Sequence, residues 1–192
     1  LILVVLLLCA CASPVSRHET SADTLAATQY GKVQGFAAAG VKTWLGIPYA
    51  APPVGELRFR RNQPPTPWQD VRKCVAFGNN PIQYMNMFGL ERSRVPASED
   101  CLYLNVWAPL TAAKDARLPV FVWIYGGAYH MGEGSDPMYD GASFARDGVV
   151  FVNFNYRVGP LGFYDFSMYD KRFESNCGVS DQIAALRWGR DN

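Results

Sequence analysis

Residues 120–132, with the sequence VFVWIYGGAYHMG, are the most informative stretch of this chain. The apolar run 120–125 is typical of a buried strand, and it ends at Gly126, Gly127 and Ala128. Residues without bulk let the backbone approach a ligand closely. Two N–H groups directed beyond such a strand can stabilise the oxyanion of an acyl-transfer intermediate. Gly127 and Ala128 are therefore candidate oxyanion donors, and Gly126 permits the turn. Taken alone, the same pattern also fits a tight strand-to-loop corner.

The apolar pattern around this stretch predicts an α/β fold. Segments 118–125 and 149–156 are continuous apolar runs typical of buried strands, and segment 139–146 between them fits a short helix. Strand, helix and strand in that order predict a parallel crossover. Alternation in 29–36 and 41–45 predicts an N-terminal antiparallel hairpin.

A further strand is predicted at 102–107, and a helix near the end of the chain. Ser180 is the predicted N-cap of that helix, and Asp181 would be favourable in its first turn. Three apolar side chains are predicted on its inner face: Ile183, Leu186 and Trp188.

Four further segments resemble the type-B carboxylesterase, or cholinesterase-like, family. They are TWLGIPYAAPPVGELRF at 43–59, SEDCLYLNVW at 98–107, NYRVGPLGF at 155–163 and NCGVSDQIAAL at 176–186. They occur in the family's order, and the turn at 126–129 resembles that of bacterial members. The resemblance implies an α/β-hydrolase fold, here the N-terminal part only. An antiparallel N-terminal hairpin would lead into a central, mostly parallel sheet.

The family's nucleophile is a serine in a Gly-x-Ser-x-Gly elbow, and no such pentapeptide occurs in this chain. The two histidines, His18 and His130, do not fit the family's catalytic histidine. We therefore expect an N-terminal portion of a longer carboxylic ester hydrolase, inactive by itself. Two alternatives stay open: a non-catalytic, cholinesterase-like adhesion or binding protein, and an inactive truncated fragment.

The resemblance implies roles for individual residues. Three would line the substrate gorge beside the acyl group: Tyr129, His130 and Met131. Four would form two structural ion pairs: Arg58 with Glu99, and Arg157 with Asp181. Two would form a disulfide that closes a surface loop: Cys74 and Cys101. The alternative for the last two is a pair of buried thiols. Cys177 is expected to be an unpaired thiol.

The N-terminal residues predict export. Residues 1–8 are apolar and too few to span a bilayer, so we interpret 1–12 as a signal peptide or lipoprotein signal and 13–28 as a linker. The remaining 29–192 would belong to the hydrolase domain. Cys11 is a lipidation candidate that would tether the protein to a membrane. The alternative is ordinary signal cleavage and a secreted or periplasmic product.

Composition excludes several classes of partner. The formal net charge is +1 and the basic residues are scattered, which does not suggest nucleic-acid binding. No cysteine or histidine spacing suits zinc, and the implied chemistry needs no cofactor. The expected partner is a small-molecule ester. In cholinesterases a tryptophan in the loop matching 74–101 holds the quaternary ammonium group. That loop has no tryptophan here, which disfavours a choline ester.

Overall fold

The computed structural model of the chain describes residues 22–83, 95–113 and 115–192. The elements within them are, in chain order, β1 (Leu25–Thr28), β2 (Gly31–Gln34), β3 (Phe36–Ala38), β4 (Val41–Pro48), β5 (Arg72–Lys73), β6 (Tyr103–Pro109), β7 (Val120–Trp123), α1 (Ala142–Arg146), β8 (Val150–Phe154), α2 (Gly159–Phe163) and α3 (Cys177–Asp191). The predicted signal at 1–12, with Cys11, lies outside the described residues. Within the described ranges, no helix is long and apolar enough to cross a membrane.

A small sheet has the strand order β1-β2-β5. β1 pairs with β2 in antiparallel fashion from Leu25 opposite Gln34 to Thr28 opposite Gly31. The prediction that the linker extends to residue 28 is therefore wrong, because 25–28 form a paired strand. The predicted hairpin strand 29–36 is divided: β2 joins this sheet and β3 joins the larger one. The division falls at Gly35, where a Cβ would lie 2.2 Å from the Thr43 carbonyl oxygen, so only glycine fits.

The larger sheet has five strands in the order β3-β4-β6-β8-β7. β3 and β4 form the predicted antiparallel hairpin, with Ala39 and Gly40 at positive φ in its turn. β4 with β6, and β6 with β8, are also antiparallel. Of the pairs described in this sheet, only β7 with β8 is parallel, so the antiparallel N-terminal strands lead into parallel pairing at β7 and β8.

The predicted parallel crossover is confirmed for β7, α1 and β8. A 3-10 turn over Pro137–Tyr139 precedes α1, and Asp136 caps it by accepting a hydrogen bond from the Met138 N–H. β7 is an edge strand in the described part of the sheet. Val120 is 59% exposed there, whereas the apolar run predicted a fully buried strand.

The core lies between the larger sheet, the small sheet and α3. Its fully buried apolar side chains are mostly contributed by strands and strand ends: Val33, Ile47, Leu102, Leu104, Tyr125 and Phe154. Burial of that apolar area is the main favourable term in folding. The core thereby fixes the relative position of the β7 and β8 ends, from which the candidate site is built.

Helix α3 begins four residues earlier than predicted. Asn176 is its N-cap residue, in the left-handed conformation with φ 55°, so Ser180 lies inside the helix and does not cap it. Asp181, Ala185 and Trp188 form the buried face. Ile183 and Leu186 are 44% and 45% exposed, so their predicted inward orientation is wrong. The reason is the helical period: residues 181, 185 and 188 share one face, and Asp181 is held inward by an ion pair.

The predicted disulfide is not formed in the structure. Cys74 and Cys101 are free thiols, each 1% exposed in the core, and Cys177 is a free buried thiol as expected. Burial raises the pKa of the Cys74 thiol to about 11 and also raises that of Cys101. Because the thiolate is the form that starts disulfide exchange, such burial disfavours oxidation.

We expect Cys74 and Cys101 to resist alkylation in the native protein at pH 8 and to react after unfolding, without any reductant. Peptide mass spectrometry after iodoacetamide treatment measures this. A linked Cys74–Cys101 peptide would contradict the structure.

The raised pKa of the Cys74 thiol also predicts that the stability of the fold depends on pH. The unfolded thiol ionises near 9.0, so the folded state holds the proton more tightly. The free energy of unfolding should therefore fall as the pH rises from about 9 to about 11.

Candidate active site

The turn after β7 has an unusual backbone. Gly127, Ala128 and Tyr129 have φ values of 134°, 52° and 66°, three positive values in succession. Positive φ is uncommon for residues other than glycine and collects at functional sites, where the surrounding structure holds it in place. The His130 and Met131 N–H groups both donate to the Gly127 carbonyl oxygen, at 3.0 and 3.2 Å. The turn is therefore closed by two hydrogen bonds from its own backbone to the Gly127 carbonyl.

The N–H groups of Gly127 and Ala128 have no hydrogen-bond acceptor among the residues that the structure describes. Gly127 is half-buried and Ala128 is exposed, so both N–H groups are accessible to a ligand. They follow a strand of a parallel pair, where the sequence predicted oxyanion donors, and that role stays a prediction. What they can do is stabilise a developing negative charge on oxygen.

Only glycine fits at position 127. A Cβ there would lie 2.0 Å from the Met131 carbonyl oxygen, far inside van der Waals contact. Ala128 is different, because a φ of 52° is accessible to alanine at a modest cost. Proline at 128 would impose a φ near −65° and distort the turn as well as remove the N–H. A substitution there by proline would therefore not isolate the loss of one donor.

The loop that follows the turn is held by three side chains from two other segments. The Gln83 side-chain amide makes a reciprocal pair with Gly132: it accepts from the Gly132 N–H at 2.7 Å and donates to the Gly132 carbonyl at 3.1 Å. The Asn155 side chain accepts from the Gly134 N–H at 2.7 Å. The Asn153 side chain donates to the Gly134 carbonyl at 3.0 Å.

Sequence reasoning did not identify these anchors. Asn155 begins one of the segments that carry the family resemblance, and that is the only signal that could have found it. Gln83 stands between Ile82 and Tyr84, and nothing in its sequence neighbourhood marks it. Its role depends on a contact between residues 49 positions apart, which no local pattern reports.

The three residues predicted to line the gorge lie on the turn and its continuation. Tyr129 is 64% exposed, and its ring lies 4.8 Å from that of Phe163 on α2. His130 is exposed and Met131 is half-buried. Their contact with a substrate stays a prediction, whereas their nearness to the two donor N–H groups is a consequence of the backbone.

Arg157 and Asp181 form a buried, two-pronged ion pair. Arg157 Nε and Nη2 each donate to one Asp181 carboxylate oxygen at 2.8 Å, and both side chains are at most 4% exposed. Arg157 also donates to the Arg60 carbonyl, and Asn62 donates to Asp181. Burial alone would lower the pKa of Arg157, but the hydrogen bonds and charge of Asp181 outweigh it and raise the pKa. The pair joins α3 to the segment that follows β8.

The second expected ion pair is also present but lies at the surface. Arg58 Nε is 2.7 Å from Glu99 Oε2, and the side chains are 46% and 22% exposed. Hydrogen bonding to Glu99 raises the pKa of Arg58. The Arg58–Glu99 pair is therefore far more exposed to water than the Arg157–Asp181 pair. Exposed pairs contribute little to stability because water and salt screen them.

The strand order and the small-residue turn at the end of β7 define the chain as part of an α/β-hydrolase. The chain belongs to the carboxylesterase family, whose sequence model matches residues 22–192. It is 48% identical to the para-nitrobenzyl esterase of Bacillus subtilis (strain 168) over 167 residues, which cover 86% of this chain and 34% of that protein. It is 40% identical to the cholinesterase of Mus musculus over an alignment that covers 98% of this chain and 32% of that protein.

Solved structures agree with the sequence relatives. A structure of PNB esterase aligns with a TM-score of 0.82 and 46% identity, covering 88% of this chain and 35% of that one. A carboxylesterase of Geobacillus stearothermophilus aligns with a TM-score of 0.78 and 42% identity, covering 88% and 34%. The chain thus spans about a third of the length of the relatives it matches.

Proposed function

We propose that the protein containing this chain is a carboxylic ester hydrolase in which Gly127 and Ala128 supply two backbone donors to the oxyanion. The observation that carries the proposal is the pair of N–H groups without acceptors in a turn of positive φ, directly after β7. Membership of the carboxylesterase family supports it.

The proposed reaction is a two-step acyl transfer. A serine outside these residues attacks the ester carbonyl, and the carbonyl oxygen becomes an oxyanion that accepts hydrogen bonds from Gly127 and Ala128. Collapse of the intermediate releases the alcohol, and water then hydrolyses the acyl-enzyme through a second oxyanion at the same place. Because these donors belong to a turn that is already shaped, they need no reorganisation as charge develops.

The edge of β7 that has no partner strand among the described residues suggests where the strand before the nucleophile would lie. β7 pairs with β8 on one side, and Val120 and Phe121 are exposed on this edge strand. The carboxyl ends of parallel strands lie at the same edge of a sheet, where ligands bind in α/β folds. A further strand added in parallel beside β7 would end next to Gly127 and Ala128. A serine elbow after that strand would then face the two donors.

The substrate we propose is a small, uncharged ester. The absence of a tryptophan between Cys74 and Cys101 removes the aromatic face that would attract a quaternary ammonium group. The full-length protein should hydrolyse p-nitrophenyl acetate with a kcat within about 1–10³ s⁻¹. Its kcat/KM for butyrylthiocholine should be at most about a tenth of its kcat/KM for p-nitrophenyl acetate.

Labelling with a fluorophosphonate tests the same proposal without turnover. One phosphonyl group should attach to a single serine and abolish hydrolysis. A correctly folded full-length protein that neither hydrolyses the ester nor takes up the label would overturn the proposal. The non-catalytic binding alternative would then be the better account.

We infer in addition that the protein is exported, on the ground of the apolar residues 1–8. Lipidation at Cys11 and plain cleavage near residues 10–12 are two routes that the sequence permits. Intact mass of the mature protein distinguishes them: a diacylglyceryl mass on Cys11 supports the tether, and an unmodified N-terminus after residue 12 supports free release. A mature protein that keeps residues 1–8 would contradict export by either route.

A further inference from the structure

Tyr125 and Tyr156 follow the last paired residues of β7 and β8, and each hydrogen-bonds to the other's backbone. We call this pair the clasp. The Tyr156 hydroxyl donates to the Tyr125 carbonyl oxygen at 2.8 Å. The Tyr125 hydroxyl donates to the Tyr156 carbonyl and accepts from the Tyr156 N–H, both at 3.1 Å. The strand pairing itself ends with Trp123 opposite Asn153. The two tyrosines thus continue the connection between the strands into the start of the turn.

The clasp is buried and well packed. The two rings are stacked with centroids 4.5 Å apart, and both residues are at most 3% exposed. Burial raises the pKa of Tyr156 to about 12, so its hydroxyl keeps its proton at neutral pH and remains a donor. Gly132 crosses directly over the Tyr125 ring, since a Cβ at Gly132 would lie 2.2 Å from a ring carbon. The loop after the turn therefore also packs on this clasp.

The same segment holds both ends of the turn. At the entrance, Tyr156 fixes the Tyr125 carbonyl. Because the peptide unit is planar, the orientation of the Gly126 N–H is fixed with it. At the exit, the Gly159 N–H donates to the Tyr129 carbonyl at 2.6 Å. The two donor N–H groups of Gly127 and Ala128 lie between these attachments.

We propose that Tyr156 is a positioning residue for the oxyanion donors, acting through the Tyr125 carbonyl oxygen. The inference rests on the proposed function for its effect on catalysis. Its structural part, that the Tyr156 hydroxyl orders the turn, does not depend on catalysis. Tyr156 reaches no reacting atom in this account. It restricts the direction of the Gly127 and Ala128 N–H groups, and preorganised donors stabilise a developing charge better than mobile ones.

Tyr156→Phe in the full-length protein tests the proposal because it removes the hydroxyl and keeps the stacked ring. Tyr49→Phe is the matched control. Tyr49 is 3% exposed in the same core, and its hydroxyl donates to the Asn155 carbonyl, not to the residue before the turn. Two quantities are measured for each variant: the hydrogen exchange of the peptide covering 126–131, and kcat and KM with p-nitrophenyl acetate.

For Tyr156→Phe we expect exchange of the 126–131 peptide to rise and kcat to fall by about tenfold, with KM changed less than about twofold. Tyr49→Phe should leave both exchange and kcat near wild-type values. Unchanged exchange in Tyr156→Phe, an equal rise in both variants, or raised exchange with unchanged kcat would each overturn the proposal. If the wild-type protein hydrolyses no ester, the proposed function fails. The exchange comparison would still decide whether Tyr156 orders the turn.

Discussion

Replacing Gly127 by alanine is expected to lower the kcat of the full-length enzyme by about 10²–10³-fold, the usual effect of losing one oxyanion donor. The added Cβ would lie 2.0 Å from the Met131 carbonyl oxygen, and the φ of 134° is one that alanine does not readily adopt. The turn must open to relieve the contact, and the direction of its N–H groups changes with it. Steady-state kinetics with p-nitrophenyl acetate measure the effect.

Ala128→Gly is the matched control for this substitution. It keeps the N–H, and glycine adopts the φ of 52° without strain, so kcat should stay within about threefold of wild type. Circular dichroism and the melting temperature establish that both variants fold. A folded Gly127→Ala protein with wild-type kcat would show that the turn does not carry the oxyanion.

Asp181→Asn is expected to lower the free energy of unfolding by about 3–5 kcal/mol, the usual cost of removing one partner of a buried ion pair. The substitution keeps the shape of the side chain but leaves the Arg157 guanidinium buried, 4% exposed, without a counter-charge. The amide oxygen can still accept hydrogen bonds, but the amide nitrogen brings N–H donors toward those of Arg157. The midpoint of urea unfolding, followed by tryptophan fluorescence, measures the loss.

Glu99→Gln is the control for the buried pair. It also removes a carboxylate from an arginine, yet Arg58 is 46% exposed and stays hydrated, so the unfolding midpoint should change little. Equal shifts of the unfolding midpoint in the two variants would contradict this, because the buried Arg157–Asp181 pair would then stabilise the fold no more than the exposed pair.

The sequence predicted the features that depend on neighbouring residues. The apolar run ending at Gly126 and Gly127 predicted a strand and a small-residue turn, and both are present. The β3–β4 hairpin and the crossover through α1 were also predictable, because each connects elements that follow one another directly. The pairing of Arg157 with Asp181 came from the family resemblance and not from spacing.

The predictions that were wrong concern features that depend on contacts between residues far apart in the sequence. The register of α3 follows Asp181, which turns inward to meet Arg157, and no periodicity of apolar residues reports that. The disulfide prediction assumed that Cys74 and Cys101 oxidise, but both thiols are enclosed by the core. Tyr156 and Gln83 act on the turn from other segments, so local pattern could not assign them a role.

A crystal structure of the full-length protein with a trifluoromethyl ketone bound to its nucleophile tests directly whether Gly127 and Ala128 hold the oxyanion. We expect the ketone oxygen, as an oxyanion, to lie about 2.7–3.1 Å from the backbone nitrogens of both residues. An oxyanion held by other groups, with these two N–H groups directed away from it, would contradict the assignment of Gly127 and Ala128 as its donors.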